Sequence, residues 1–106
     1  MPIDVELISA NVYGNEQKED FTTYKLKVDC SRYGFYINGI KVILFHDSGQ
    51  YKVYKPSTKD SYTKKFVSHI EFPNDSLLSH ALTETCLRAV ENKYGMTIVR
   101  NQNEIV

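Results

Sequence analysis

The apolar residues of this chain change their period at Pro73. Upstream, Tyr24, Leu26, Val28 and Cys30 alternate with Thr23, Lys25, Lys27 and Asp29, so one side chain in two is apolar. Downstream, Leu78, Ala81, Leu82, Thr85, Cys86, Ala89, Val90 and Tyr94 recur at three- and four-residue spacing. A period of two places side chains on alternate faces of a strand, and a period near 3.6 lines up one face of a helix. Strands followed by a helix predict an α+β layer architecture: an antiparallel β-meander of about five strands, then one long C-terminal helix. The stripe predicts a helix of about 19 residues, or roughly 28 Å. Asn74 or Asp75 is placed to cap it and Gly95 to stop it.

Five strands are expected. Ile3 to Tyr13 forms the first, with a slip of phase near Leu7-Ile8 that suggests a bulge or a change of buried face. Gly14 to Asp20 reads as a polar turn, and Tyr24 to Cys30 as a half-buried strand with one wet face. Phe35 to Phe45 follows, interrupted at Asn38-Gly39. Its end, Val42-Ile43-Leu44-Phe45, is apolar on both faces. His46-Asp47-Ser48-Gly49 is turn chemistry leading to a hairpin partner at Tyr51–Tyr54, closed by Pro56. Lys55 to Lys64 reads as a polar loop, and Phe66, Ser68, Ile70 and Phe72 as the fifth strand. A single helix cannot cover both faces of such a sheet, so a second subunit is expected to cover the doubly apolar strand, giving a homodimer.

A chain of 106 residues is long enough for one core and too short for two. One domain over 1–95 is expected, with a tail over 96–106 whose Thr97-Ile98-Val99 can add an edge strand. No apolar run approaches the roughly 20 residues that span a bilayer, so no membrane partner is expected. Met1-Pro2-Ile3-Asp4 lacks the basic and apolar regions of a signal peptide, which points to a cytoplasmic protein. Cys30 and Cys86 lie far apart and read as reduced, packed thiols.

The candidates for catalysis are weak. His46-Asp47-Ser48 holds the residue types of a hydrolase triad, but three neighbours in a turn cannot align as one. Cys86 with His69 or His80 offers a thiol–imidazole pair, yet Cys86 lies on the apolar stripe. The three histidines lack metal-ligand spacing, and no glycine-rich phosphate loop is present. No enzyme, no metal and no cofactor is expected.

Net charge is zero, with 13 basic and 13 acidic residues, which excludes an indiscriminate polyanion binder. The neutrality conceals a split: residues 1–20 carry a balance of −4 and residues 51–65 one of +4. The basic segment, Tyr51 to Lys65, interleaves five lysines with Tyr51, Tyr54, Tyr62 and hydroxyl residues. Lysine neutralises phosphate, hydroxyls donate to phosphate oxygens, and tyrosine stacks on an unpaired base. The candidate nucleic-acid-binding residues are therefore Lys52, Lys55, Ser57, Lys59, Tyr62, Lys64 and Lys65. A solvated lysine edge that discourages strand pairing produces the same composition.

The order of features resembles the bacterial SpoVG (sporulation protein G, septation protein) family. Asp4-Val5-Glu6-Leu7 looks like its first strand and Phe35-Tyr36-Ile37-Asn38-Gly39-Ile40-Lys41-Val42 like a later one. Ser48 to Ser57 is similar to its turn, strand and terminal Pro-Ser. His69-Ile70-Glu71-Phe72-Pro73-Asn74 looks like the strand end before its helix, which would close at Ala89 to Tyr94. The resemblance spans roughly residues 3–95 and implies a small dimeric α+β domain without catalysis that binds DNA or RNA in gene regulation. It also implies basic contacts just after the Pro-Ser pair, where this chain has Thr58 and Lys59, with Lys64 and Lys65 across the same loop. Two functions are thus expected: a dimeric nucleic-acid-binding regulator, or a protein-interaction module such as a phage- or mobile-element-encoded inhibitor presenting its acidic N-terminal segment to a host protein.

Overall fold

A computed structural model describes residues 5–59, 62, 66–68, 72–73, 76–101 and 105, with backbone alone for residues 5, 58–59 and 66–68. Strands β1 (Ser9–Gln17), β2 (Phe21–Cys30), β3 (Phe35–Phe45) and β4 (Tyr51–Tyr54) form one antiparallel sheet in sequence order. Strands β5 (Ser57–Lys59) and β6 (Phe66–Ser68) pair only with each other. Helix α1 (Leu77–Tyr94) packs chiefly over β1 and β2. The α+β meander with its C-terminal helix is as expected, but the sheet has four strands, not five.

The expected fifth strand is present at Phe66–Ser68 but stands outside the four-stranded sheet. Pro56 carries no N–H for a ladder and sits buried, its Cβ 3.7 Å from where a Cβ on Gly39 would lie. The chain leaves the sheet there, and Ser57–Lys59, expected as loop, pairs with Phe66–Ser68, the start of the expected fifth strand, as a separate ladder.

The N-terminal strand also differs. Val5–Leu7 is a 3-10 turn, and β1 runs from Ser9 to Gln17, through residues expected to form a turn. Its polar end pairs with Thr22–Lys25, and the hairpin closes where Lys18 N–H donates to the Phe21 carbonyl (2.8 Å). The irregularity lies at Tyr13, where β1 carries one residue more than β2, rather than at Leu7-Ile8. Lys93, in the last turn of α1, donates to the Val12 carbonyl beside this bulge (2.6 Å).

Strand β2 confirms its alternation: Tyr24, Leu26, Val28 and Cys30 are all buried on the helix-covered face. A second bulge, at Gly39 (φ +87°), keeps β3 in phase, with Phe35 and Ile37 before it and Ile40, Val42 and Leu44 after it on the same face. Positive φ is cheap only for glycine, so this residue type suits the bulge.

Helix α1 is 18 residues long and is capped by Ser76, whose hydroxyl accepts from Ser79 N–H (3.2 Å). The expected caps, Asn74 and Asp75, lie outside the described residues and precede the observed cap. Gly95 ends the helix as expected, at φ 63°, with its N–H on the Glu91 carbonyl. Ala81, Leu82, Thr85, Cys86 and Val90 of the stripe are buried, Leu78 and Ala89 half-buried and Tyr94 exposed at its end. Leu87 is buried on another side of the helix. The tail explains it. Residues 96–101 and Ile105 form no strand. Ile98 N–H donates to Glu91 (2.7 Å) and Ile105 N–H to the Thr83 hydroxyl (2.9 Å), so the tail returns along the face that carries Thr83, Leu87 and Glu91. Ile98 and Ile105 are themselves buried in the core.

Arg100 fastens this tail. Its guanidinium donates to both Glu84 oxygens (3.1 Å each) and to both Glu91 oxygens (2.8 and 3.2 Å). Hydrogen bonding to Arg100 is the main cause holding both carboxyls below their ordinary value. A carboxylate whose folded pKa is lowered contributes stability above its unfolded value, near 4.5, and loses it as pH falls through the folded value. Arg100→Gln is expected to cost about 1–2 kcal/mol at pH 7. Thermal melts should show that gap closing as the pH drops below 4.5.

Candidate nucleic-acid interface

Because α1 covers one face of the sheet, side chains of opposite phase project from the other. Register places them in rows. Lys25 of β2 pairs directly with Lys41 of β3, which pairs with Tyr54 of β4, and the Tyr13 bulge stands at the same level on β1. One row on, Asn11, Lys27 and Asn38 are aligned, and beyond them Ser9, Asp29 and Tyr36. In the other direction lie Glu16, Thr23, Ile43 and Lys52, and then Phe21 opposite Phe45.

The face is basic. Among the described residues, Lys25, Lys27 and Lys41 form no ion pair. The nearby carboxylates are engaged locally: Glu16 with Lys18 (2.7 Å) and Asp29 with the Ser31 N–H (2.8 Å). The Glu16 carboxyl lies below its ordinary value through its bond to Lys18, with smaller contributions from Lys25 and Lys41. Like charges directly opposite on a sheet are destabilising, so the Lys25–Lys41 pair costs the free protein something that a bound anion would offset.

The face is also aromatic. Tyr13 is 56% exposed and Tyr36 59%. The Lys27 ammonium lies 5.4 Å from the Tyr36 ring centroid, and Lys52 lies 6.0 Å from that of Phe45. A groove of about 730 Å³ opens between Tyr13 and Tyr54, floored by Asn38, Lys41 and Ile43 and continuing past Pro56 to Ser57.

The sequence-predicted site residues divide against this frame. Lys52 is exposed on the open face, and Lys55 and Ser57 line the groove. The Lys55 ammonium, however, is already used: it donates to the Phe72 carbonyl (3.1 Å) and lies 4.2 Å from that ring's centroid. Lys59 belongs to β5 by its backbone, Tyr62 is 95% exposed, and Lys64 and Lys65 lie outside the described residues. Tyr51, expected among the stacking tyrosines, is 2% exposed and belongs to the core, because it pairs with Leu44 on the helix-covered face. Sequence reasoning missed Lys25, Lys27, Lys41, Tyr13 and Tyr36. The signal was the wet phase of β2, whose meaning depends on the register with β3.

Among the residues weighed for catalysis, His46 and the two cysteines are engaged in the fold. A carbonyl can only accept, so His46 Nδ1–H donates to the Glu19 carbonyl (3.1 Å) and Nε2 accepts from the Thr22 hydroxyl (2.7 Å). The ring thus ties the β1–β2 turn to the end of β3. His80 is exposed on α1, and His69 lies outside the described residues. Burial pushes the Cys30 thiol up to about 11 and the Cys86 thiol up to about 12. Neither thiol should react with iodoacetamide in the native protein, and both should react on unfolding, as counted by mass spectrometry. Among the described residues no helix is long and apolar enough to cross a membrane. The chain matches no protein-family model, no curated protein and no solved structure.

Proposed function

We propose that this protein is a non-enzymatic, cytoplasmic nucleic-acid-binding regulator, dimeric as the SpoVG-like order of its motifs implies. The observation that carries the reading is the open sheet face, where Lys25, Lys27, Lys41 and Lys52 stand among tyrosines without carboxylate partners among the described residues. Such a face offers a phosphate chain charge neutralisation, and the neighbouring amides and hydroxyls of Asn11, Asn38 and Ser57 add hydrogen-bonding groups. The dimer contact falls to the remaining apolar end of the face, where Phe21 packs on Phe45 (centroids 6.1 Å). That arrangement leaves the Lys25–Lys41 and Lys27 rows free, with Lys52 at their border beside Phe45.

Fluorescence anisotropy against mixed DNA and RNA pools at ~50 mM salt tests the reading. Binding that weakens with added salt supports it, and no binding to either pool removes it. Light scattering should give about twice the 12.3 kDa chain mass. A monomer would remove the dimeric part alone. Capture of a host protein that survives nuclease treatment, with no binding to the pools, would favour the inhibitor reading.

A further inference from the structure

We infer that the ligand of the open face is an unpaired oligonucleotide strand, lying across the sheet with its bases against Tyr13, Tyr36 and Tyr54 and its phosphates on the Lys25–Lys41 row. The inference rests on the nucleic-acid reading of that face and specifies which form of nucleic acid it takes.

Three observations select a single strand over a duplex. The first is width. Four strands at about 4.8 Å spacing make a backbone surface of about 14 Å before side chains are counted, whereas the major groove of a duplex is about 12 Å wide and admits a two-stranded ribbon. This face cannot enter it. The second is ring exposure. Tyr13 and Tyr36 present more than half of their surface to solvent, and such rings gain from a ligand with free π-faces. Duplex bases are stacked on each other and offer none. The third is spacing. Tyr13 and Tyr54 stand at one level on β1 and β4, their backbones about 14 Å apart at ordinary strand spacing, and Tyr36 stands on β3 four β2 residues further along, a backbone displacement of about 13 Å. Stacked bases in a duplex are 3.4 Å apart, so these rings can take only bases that have left their neighbours.

The groove between Tyr13 and Tyr54 supplies the rest. Its volume of about 730 Å³ suits an inserted base, with Ile43 as an apolar floor and Asn38 as a donor and acceptor for the base edge. Lys41 stands within the same groove, and Lys25 is its cross-strand partner, so a phosphate between the two rings meets two ammonium groups. Lys27, over the Tyr36 ring, does the same for the second position.

The test uses labelled 12-nucleotide single strands of DNA and of RNA and a 12-base-pair duplex, titrated with the full chain at ~50 mM salt. At least one single strand is expected to bind about ten-fold or more tighter than the duplex, and the two single-stranded arms show which sugar is preferred. The chain has no tryptophan, so quenching of its tyrosine emission reports stacking directly. Tyr13→Ala and Tyr36→Ala should each weaken single-strand binding by about five-fold or more, with an unchanged melting temperature, while Tyr36→Phe retains it. Equal or tighter duplex binding would overturn the inference and leave the nucleic-acid reading standing. No binding to any of the three would overturn both. Tyrosine variants that change the mass by light scattering but not the affinity would show the face to be a self-contact, and would also overturn it.

Discussion

Replacing Lys25, Lys27 and Lys41 together by glutamine is expected to abolish most nucleic-acid binding while leaving the fold intact. Each lysine–phosphate contact on a single strand contributes a factor that grows as salt falls, with a slope of about 0.7 per contact. At ~0.1 M salt three lost contacts weaken binding about 100-fold. Lys27 and Lys41 are exposed and Lys25 half-buried, and none of the three forms an ion pair among the described residues. Removal of the facing Lys25–Lys41 charges should therefore hold or slightly raise the melting temperature. Lys18→Gln is the matched control: that lysine is paired with Glu16, and its loss should change affinity little. Affinity that survives the triple substitution would place the site away from the sheet face.

Truncation after Gly95 is expected to produce the largest loss of stability. It removes Ile98 and Ile105 from the core, the Ile105 bond to Thr83, and the Arg100 contacts with Glu84 and Glu91. Emptying a buried isoleucine site costs about 2–5 kcal/mol, so the two together approach the total stability of a small domain, about 5–15 kcal/mol. The shortened chain should lose its cooperative thermal transition by circular dichroism. Ile98→Ala and Ile105→Ala separately should each lower stability by about 2–4 kcal/mol in urea. A truncated chain that melts with the full-length one would mean that the tail adds nothing to the core.

Local features were legible in the sequence because local chemistry sets them. The alternation of Tyr24 to Cys30, the turn ending at Gly49 and the stop at Gly95 need no knowledge of distant residues. Gly49 and Gly95 both take the positive φ that glycine accommodates most readily. Register was not legible. Single-residue bulges at Tyr13 and Gly39 decide which side chains share a row, and no periodicity sixteen residues away announces that Lys25 will face Lys41. The conspicuous lysine run was a guide only in part. Its contiguity hid the fact that Tyr51 points into the core and that Lys55 is held by Phe72, while Lys52 and Ser57 do reach the open face or its groove. Leu87 escaped the helix stripe because the tail that covers its face lies beyond Gly95. The fifth strand was legible at Phe66–Ser68, but not its pairing with Ser57–Lys59 in place of the main sheet, which depends on a partner inside the expected loop.

The salt dependence of single-strand binding by the unaltered protein tests the central claim most directly. Four lysines on the open face predict that log K falls against log salt with a slope of about −3, so that affinity drops about 50-fold between 50 and 200 mM. The triple glutamine variant should flatten that slope to about −1. A slope near zero, or one that the three substitutions leave unchanged, would contradict the assignment of the phosphate contacts to this face.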